Sequence, residues 1–310
     1  MRWPILLVVA ACGSRADKPA AKKDAGVELH HTGAPVAPVV VLPRQDAFAL
    51  LERGQDPASP LRYARAPGAV EQLVETRLRS RHAQADAWSP WTSLDVRDGF
   101  GVTTAAPGPL ALRPLAPESL APSADADAYL HGWRALQDRR LTIAVDDRGQ
   151  LGTAVFNDDP RTAHSAQELD EIVQRLLGTL VPVPVEPVGI GARWRVVTIL
   201  RQRPAVVKQT ATYTLAARTA KRWTIAVDMQ RIGEQQLLDD PGLPDGTTAE
   251  LVALVRHYAG TVEIDPARLL PTGGSLAIDS RMHLRVGHLP GPIYEEQVFE
   301  DEGTLGFTAK

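Results

Sequence analysis

Residues 275–286 read SLAIDSRMHLRV. Leu276, Ile278, Met282, Leu284 and Val286 fall in one two-residue phase, and Asp279, Arg281, His283 and Arg285 fall in the other. Successive side chains point to opposite faces of a strand, so this stretch has one apolar and one charged face. A helix would spread the same residues round its circumference. One-sided strands of this kind belong to antiparallel sheets, whereas parallel strands are buried on both faces.

The same period recurs on either side. In RWTIAVDMQRI (222–232), Trp223, Ile225, Val227 and Met229 share a face opposite Thr224, Ala226, Asp228 and Gln230. In AVEQLVETRLRSR (69–81), Val70, Gln72, Val74, Thr76 and Leu78 alternate with Glu71, Glu75, Arg77, Arg79 and Arg81. RLTIAVDDRGQL (140–151) alternates Leu141, Ile143 and Val145 and then meets a hairpin turn at Asp147–Gly149. Residues 193–218 read as two long strands joined at Gln202–Pro204. Strands of ten or more residues exceed the usual length and suit a strongly twisted or curved sheet.

Two segments carry helical patterns. In residues 165–182, Ser165 and Glu168 form a capping box, and Leu169, Ile172, Val173, Leu176, Leu177 and Leu180 make an apolar stripe ended by Pro182. In residues 247–260, Thr247 and Glu250 repeat the box, Leu251, Leu254, Val255 and Tyr258 form the stripe, and Gly260 ends it. The expected fold class is therefore α+β and mainly antiparallel β, a long curved sheet or half-barrel covered by two amphipathic helices. The proline-rich stretch 105–123 reads as a surface excursion, and VPVPVEPVGIG (181–191) reads as a linker. The expected organisation is a signal segment (1–11), a tether (12–44) and one β-rich domain (45–310), which could comprise two related halves, 45–180 and 186–310.

Composition bounds the function. The chain of 310 residues is 44% hydrophobic and 23% charged, enough apolar material for one or two cores. Its 34 basic and 37 acidic residues give a net charge of -3, which argues against a nucleic-acid partner. The single cysteine, Cys12, precludes an internal disulfide and any zinc site with two thiolates. Arg2 and the apolar run Pro4–Ala11 suit an export signal, and eight residues are too few to span a bilayer, which takes about 20.

That run ends VVAAC, with Gly13 and Ser14 following. The pattern resembles the lipobox of bacterial lipoprotein signal peptides. The resemblance implies cleavage before Cys12, a diacylglycerol on its thiol and an acylated amino group. Two or more chains anchor stably where one does not. The segment after Cys12 carries Pro19, Pro35, Pro38 and Pro43 among small and charged residues, a composition suited to an extended tether. Gly13 stands where, by resemblance to the enterobacterial sorting pattern, an Asp would retain the protein at the inner membrane. The expected location is the cell envelope, at the outer membrane rather than the inner, held through acyl chains on Cys12.

Chemical motifs are sparse. The chain has no G-x-S-x-G, P-loop, H-E-x-x-H or EF-hand pattern. GIGARW (189–194) lacks the third glycine of a dinucleotide loop and reads as a turn into a strand. His30-His31 reads as solvated, Asp158-Asp159-Pro160 and Asp239-Asp240-Pro241 as turns, and Trp88 and Trp91 as core or strand-end packing. His257 is expected late in a helix and His283 on the polar face of a strand. No catalytic residue, metal ligand or cofactor is assigned.

The segment 181–233, with a proline-bounded Pro, Val, Gly and Trp pattern before a strand meander, resembles uncharacterised bacterial lipoproteins. The architecture resembles the outer-membrane lipoprotein carriers typified by LolA and LppX, in which a curved antiparallel sheet wraps helices and shelters acyl chains. The resemblance implies a non-enzymatic protein that binds or carries a lipid or other apolar ligand. The candidate lining is Trp223, Ile225, Val227, Leu276, Ile278 and Leu284. Two alternatives stand beside it: an interaction scaffold with a fully packed core, and an enzyme whose site one sequence does not reveal.

Overall fold

The computed structural model describes residues 39–41, 45–84, 87–104, 108–134, 136–137, 139–156, 179–202, 205–238, 243, 246–288 and 293–310. Among these, the strands of the first half are β1 (Val39–Val41), β2 (Gln45–Glu52), β3 (Gly68–Gln84), β4 (Ala87–Trp88), β5 (Thr92–Thr104), β6 (Leu110–Pro114), β7 (Glu118–Ala121), β8 (Leu141–Val145) and β9 (Leu151–Phe156). Those of the second half are β10 (Arg193–Gln202), β11 (Ala205–Arg218), β12 (Trp223–Gly233), β13 (Gln236–Leu237), β14 (Thr247–Ile264), β15 (Pro271–His288) and β16 (Ile293–Ala309). One helix is described, α1 (Ala124–Arg134).

The strands form one antiparallel sheet in the order β1-β9-β8-β6-β5-β3-β16-β15-β14-β12-β11-β10-β2, with β4, β7 and β13 pairing beside β3, β5 and β14. Its two end strands are close neighbours in the chain, because only residues 42–44 separate β1 from β2. Four Cα steps of 3.8 Å hold Val41 and Gln45 within about 15 Å of each other. The sheet therefore curls until its edges approach, although β1 and β2 do not pair with each other and the sheet stays open. β1 lies inside the segment read as the tether.

The curl separates two faces. The inner face takes one phase of each long strand, and Val74, Leu78, Tyr258, Ile278 and Phe299 are buried on it. The outer phase is charged. Arg81 meets Glu300 at 2.6 Å, Arg97 meets Glu75 at 2.6 Å, and Arg285 meets Glu250 at 3.0 Å. Surface pairs of this kind add only about 0–1 kcal/mol each. They show that the outer wall faces water, unlike a lipid-facing barrel wall, which is apolar.

Gly303 of β16 allows the close approach that such a wall needs. A Cβ there would stand 2.8 Å from Leu78 Cα and within van der Waals contact of the Arg77 carbonyl on β3.

The expectation of two helices over the sheet is corrected. Residues 247–260 belong to strand β14, not to a helix. A β-bulge at Val252, between Leu251 and Ala253, shifts the register against β15. It spaces the buried Leu251 and Leu254 three apart, which imitates helical periodicity. Beyond it the alternation resumes: Leu254, Arg256 and Tyr258 are buried, while Val255 of the supposed stripe is 45% exposed. The other expected helix lies outside the described residues except at its last turn.

The described helix, α1, was not anticipated. Ser123 Oγ accepts the Ala126 backbone N–H at 3.0 Å as its N-cap, and Asp125 and Asp127 sit in the first turn, where the helix dipole favours acids. α1 packs on the inner face of β5. Tyr129 donates to Asp98, and the Trp133 ring stands 5.6 Å from Phe100.

Two loop readings also change. The proline-rich excursion contains β6 and β7, with Leu110, Leu112 and Pro114 alternately buried. The supposed linker docks on the sheet end, with Val181, Val183 and Val188 buried and Val185 and Ile190 exposed. Trp194 Nε1 donates to the Pro182 carbonyl and Tyr63 Oη to the Val181 carbonyl, each at 2.8 Å.

Candidate ligand-binding site

Besides Gln72, Thr76 and Asp98 on β3 and β5, the buried polar groups of the inner face line up in one row that crosses it. Thr198 of β10 pairs in register with Gln209 of β11, and Gln209 pairs with Arg231 of β12. Arg231 pairs with Arg256 of β14, and Arg256 with Ser280 of β15. Ser280 then pairs with Asp301 of β16, and Asp301 with Ser80 of β3. All seven are buried, with Arg231 only 7% and Asp301 only 6% exposed. Each belongs to the apolar phase of its strand, so the pleat that buries the core also carries these groups inward.

One end of the row is satisfied. Ser80 Oγ donates to Asp301 Oδ1 at 2.9 Å, and Arg256 Nη2 stands 3.5 Å from Oδ2. Arg256 Nε also donates to Ser280 Oγ at 3.1 Å. Burial raises the Asp301 pKa above the ordinary carboxylate range, against the pull of Arg256 and the two serines.

The other end carries excess charge. Arg231 Nε donates to Gln209 Oε1 at 2.8 Å, and its guanidinium lies 5.2 Å from the centre of the Tyr258 ring. Burial pulls the Arg231 pKa below its ordinary value, with Arg256 adding to the shift and Tyr258 and Tyr213 opposing it. Burial pushes the Tyr258 pKa up, but Arg231 and Arg256 outweigh it and the net shift is downward. Two cations thus share the row with one carboxylate.

Apolar rows flank this one. On one side, Met229 pairs with Tyr258 and Tyr258 with Ile278, and one row further Val227 and Leu276 face each other across Gly260. On the other side, Gly233 pairs with Leu254, and Leu254 with Met282. A Cβ at Gly233 would meet Leu251 Cδ2 at 2.7 Å and Leu254 Cβ at 3.1 Å, so that side is tightly filled.

The expected lining divides across the row. Trp223, Ile225, Val227, Leu276 and Ile278 lie on one side of it and Leu284 on the other, all six buried. Trp223 closes the sheet end against Tyr63, with ring centres 5.3 Å apart. The polar row itself went unread in the sequence. Its signal is a polar residue in phase with apolar neighbours: Arg231 after Met229, Ser280 between Ile278 and Met282, and Asp301 after Phe299.

Other singled-out residues fall elsewhere. His257 is on a strand, not a helix, and pairs outward with Asp228 at 2.8 Å, while His283 stands 3.3 Å from Glu296. Trp88 and Trp91 are not core residues. They are 40% and 37% exposed, and the Arg81 guanidinium lies 4.3 and 4.6 Å from their ring centres. GIGARW is a turn into β10, with Gly191 at φ 84°.

Cys12, His30, His31 and the two Asp-Asp-Pro segments lie outside the described residues. Among the described residues, no three His, Cys, Asp or Glu side chains are grouped to hold a metal, and no helix is long and apolar enough to cross a membrane. No protein-family model matches the chain, and no curated protein matches it.

Proposed function

We propose that this chain is a lipid-anchored cell-envelope protein that holds an apolar ligand against the inner face of its curled sheet. The supporting observation is the division of the sheet into a charged outer wall and an inner wall whose apolar rows flank a buried polar row. A water-facing outside lets such a protein stand off the membrane on a tether. The inside offers apolar area to a guest at about 25 cal/mol per Å2 buried. The resemblance of VVAAC to a lipobox supplies the anchor, Cys12, and places the ligand's source, the bilayer, nearby.

Native mass spectrometry of the full chain tests the binding step. Co-purified lipid, or uptake of an added long-chain lipid at unit stoichiometry, is the expected result. A protein that emerges empty and takes up none is an interaction scaffold instead. Metabolic labelling with a fatty-acid probe tests the anchor separately. Wild type should be labelled and Cys12→Ala not, and equal labelling of both would remove the lipoprotein reading.

A further inference from the structure

Arg231 is buried, and among the described residues no acidic side chain pairs with it. Its guanidinium offers five N–H donors and stays protonated. Among the described residues, only Nε finds a hydrogen-bond acceptor, at Gln209. Among the described residues, no carboxylate faces it. The group directly across the ladder is a second cation, Arg256, and like charges in register repel. Asp301 lies two strands beyond Arg256 and is engaged by Arg256 and Ser80.

Other arginines with donors to spare use backbone carbonyls. Arg218 donates to Ser59 and Pro60, and Arg62 to Leu61, Pro184 and Val185. Among the described residues Arg231 has no such partner, and a buried unpaired charge is costly unless something neutralises it.

We propose that Arg231 anchors the head group of an anionic amphiphile, a carboxylate or phosphate borne on an acyl chain. The proposal rests on the apolar-ligand reading above and adds its head-group chemistry. A guanidinium presents paired donors that match the two oxygens of a carboxylate or phosphate. The tail would run along the apolar rows on one side of Arg231. The Gly233 side is filled by Leu251, Leu254 and Val207, which leaves the side of Met229, Tyr258 and Ile278. A head group between Arg231 and Arg256 would also bring the row to charge balance with Asp301.

The test uses three ligands that share a twelve-carbon chain and differ only in the head: laurate, dodecyl phosphate and dodecanol. Each, together with inorganic phosphate, competes with a fluorescent fatty acid for the full chain, wild type and Arg231→Gln. The expected result is that the better anionic ligand binds wild type at least about tenfold more tightly than dodecanol, the scale of a charge-assisted bond. Arg231→Gln should lose that preference and keep its affinity for dodecanol. Stronger binding of dodecyl phosphate assigns a phospholipid-like head, and stronger binding of laurate assigns a free fatty acid.

Equal affinity of wild type for all three lipids overturns the head-group assignment while the apolar-ligand reading stands. That comparison needs no variant, so it does not depend on Arg231→Gln folding. Displacement by inorganic phosphate as strong as by dodecyl phosphate overturns the amphiphile in favour of a small anion. Failure of wild type to bind any lipid removes the apolar-ligand reading and this proposal with it.

Discussion

Arg231 costs the empty protein stability, because its charge is removed from water beside a second cation. Replacing a buried charge with an apolar side chain of similar length is often neutral or stabilising by about 1–4 kcal/mol. Arg231→Met should therefore raise the urea midpoint of the ligand-free protein at unchanged m value. A lower midpoint would mean that the contacts with Gln209 and Tyr258 outweigh the desolvation. Asp301 gives a pH signature. Its folded pKa is raised by burial, so the folded state holds its proton more tightly than the unfolded chain. The stability it contributes is full below the ordinary carboxylate value of about 3.9 and is lost as pH rises through the raised folded value. Denaturant unfolding between those values should show wild type losing stability with rising pH and Asp301→Asn losing less; parallel profiles would refute the shift. Nothing local marks these residues as a group. Ser280 is one polar residue in an apolar phase, and its alignment with Arg256 and Asp301 exists only once the strands have paired.

Single strands were legible where alternation was unbroken. Residues 275–286 and 222–232 show period two because water lies on one side of the wall and the core on the other. β14 was misread because its bulge inserts one residue, and Leu251, Leu254 and Tyr258 then satisfy a helical spacing as well as a strand with a slip. α1 was missed because its buried face is small, built on Ala126, Tyr129, Leu130, Gly132 and Trp133. The closeness of neighbouring strands makes a testable demand on glycine. Gly303→Ala would drive a Cβ into the β3 backbone at Arg77 and Leu78 and should cost about 1–3 kcal/mol in denaturant unfolding. Gly306→Ala on the same strand is the control. Its Cβ would find nothing nearer than Glu75 Cβ at 3.8 Å, and it should change little. Equal effects would mean that the approach at Gly303 is not what matters.

At the scale of the molecule, β1 caps the outer edge of β9, pairing Val39 with Val155 and Val41 with Thr153. A chain begun at residue 45 lacks that cover and leaves a bare strand edge. Amide hydrogen exchange at residues 153–155 should then be faster than in a chain begun at residue 36; unchanged protection would show that β9 holds without β1. The sequence by itself determined the one-sided character of the strands, the antiparallel class and the turns at Asp147–Gly149 and GIGARW, because each depends on neighbours a few positions apart. The tertiary structure alone decided that β3 pairs with β16, that β1 and β2 end at opposite edges of one sheet, and that seven polar side chains fall in a single row. Those outcomes join residues far apart in the chain; Ser80 and Asp301, for one, are 221 positions apart. No local pattern encodes such a join, since strand order and register are selected by the packing of the whole inner face at once.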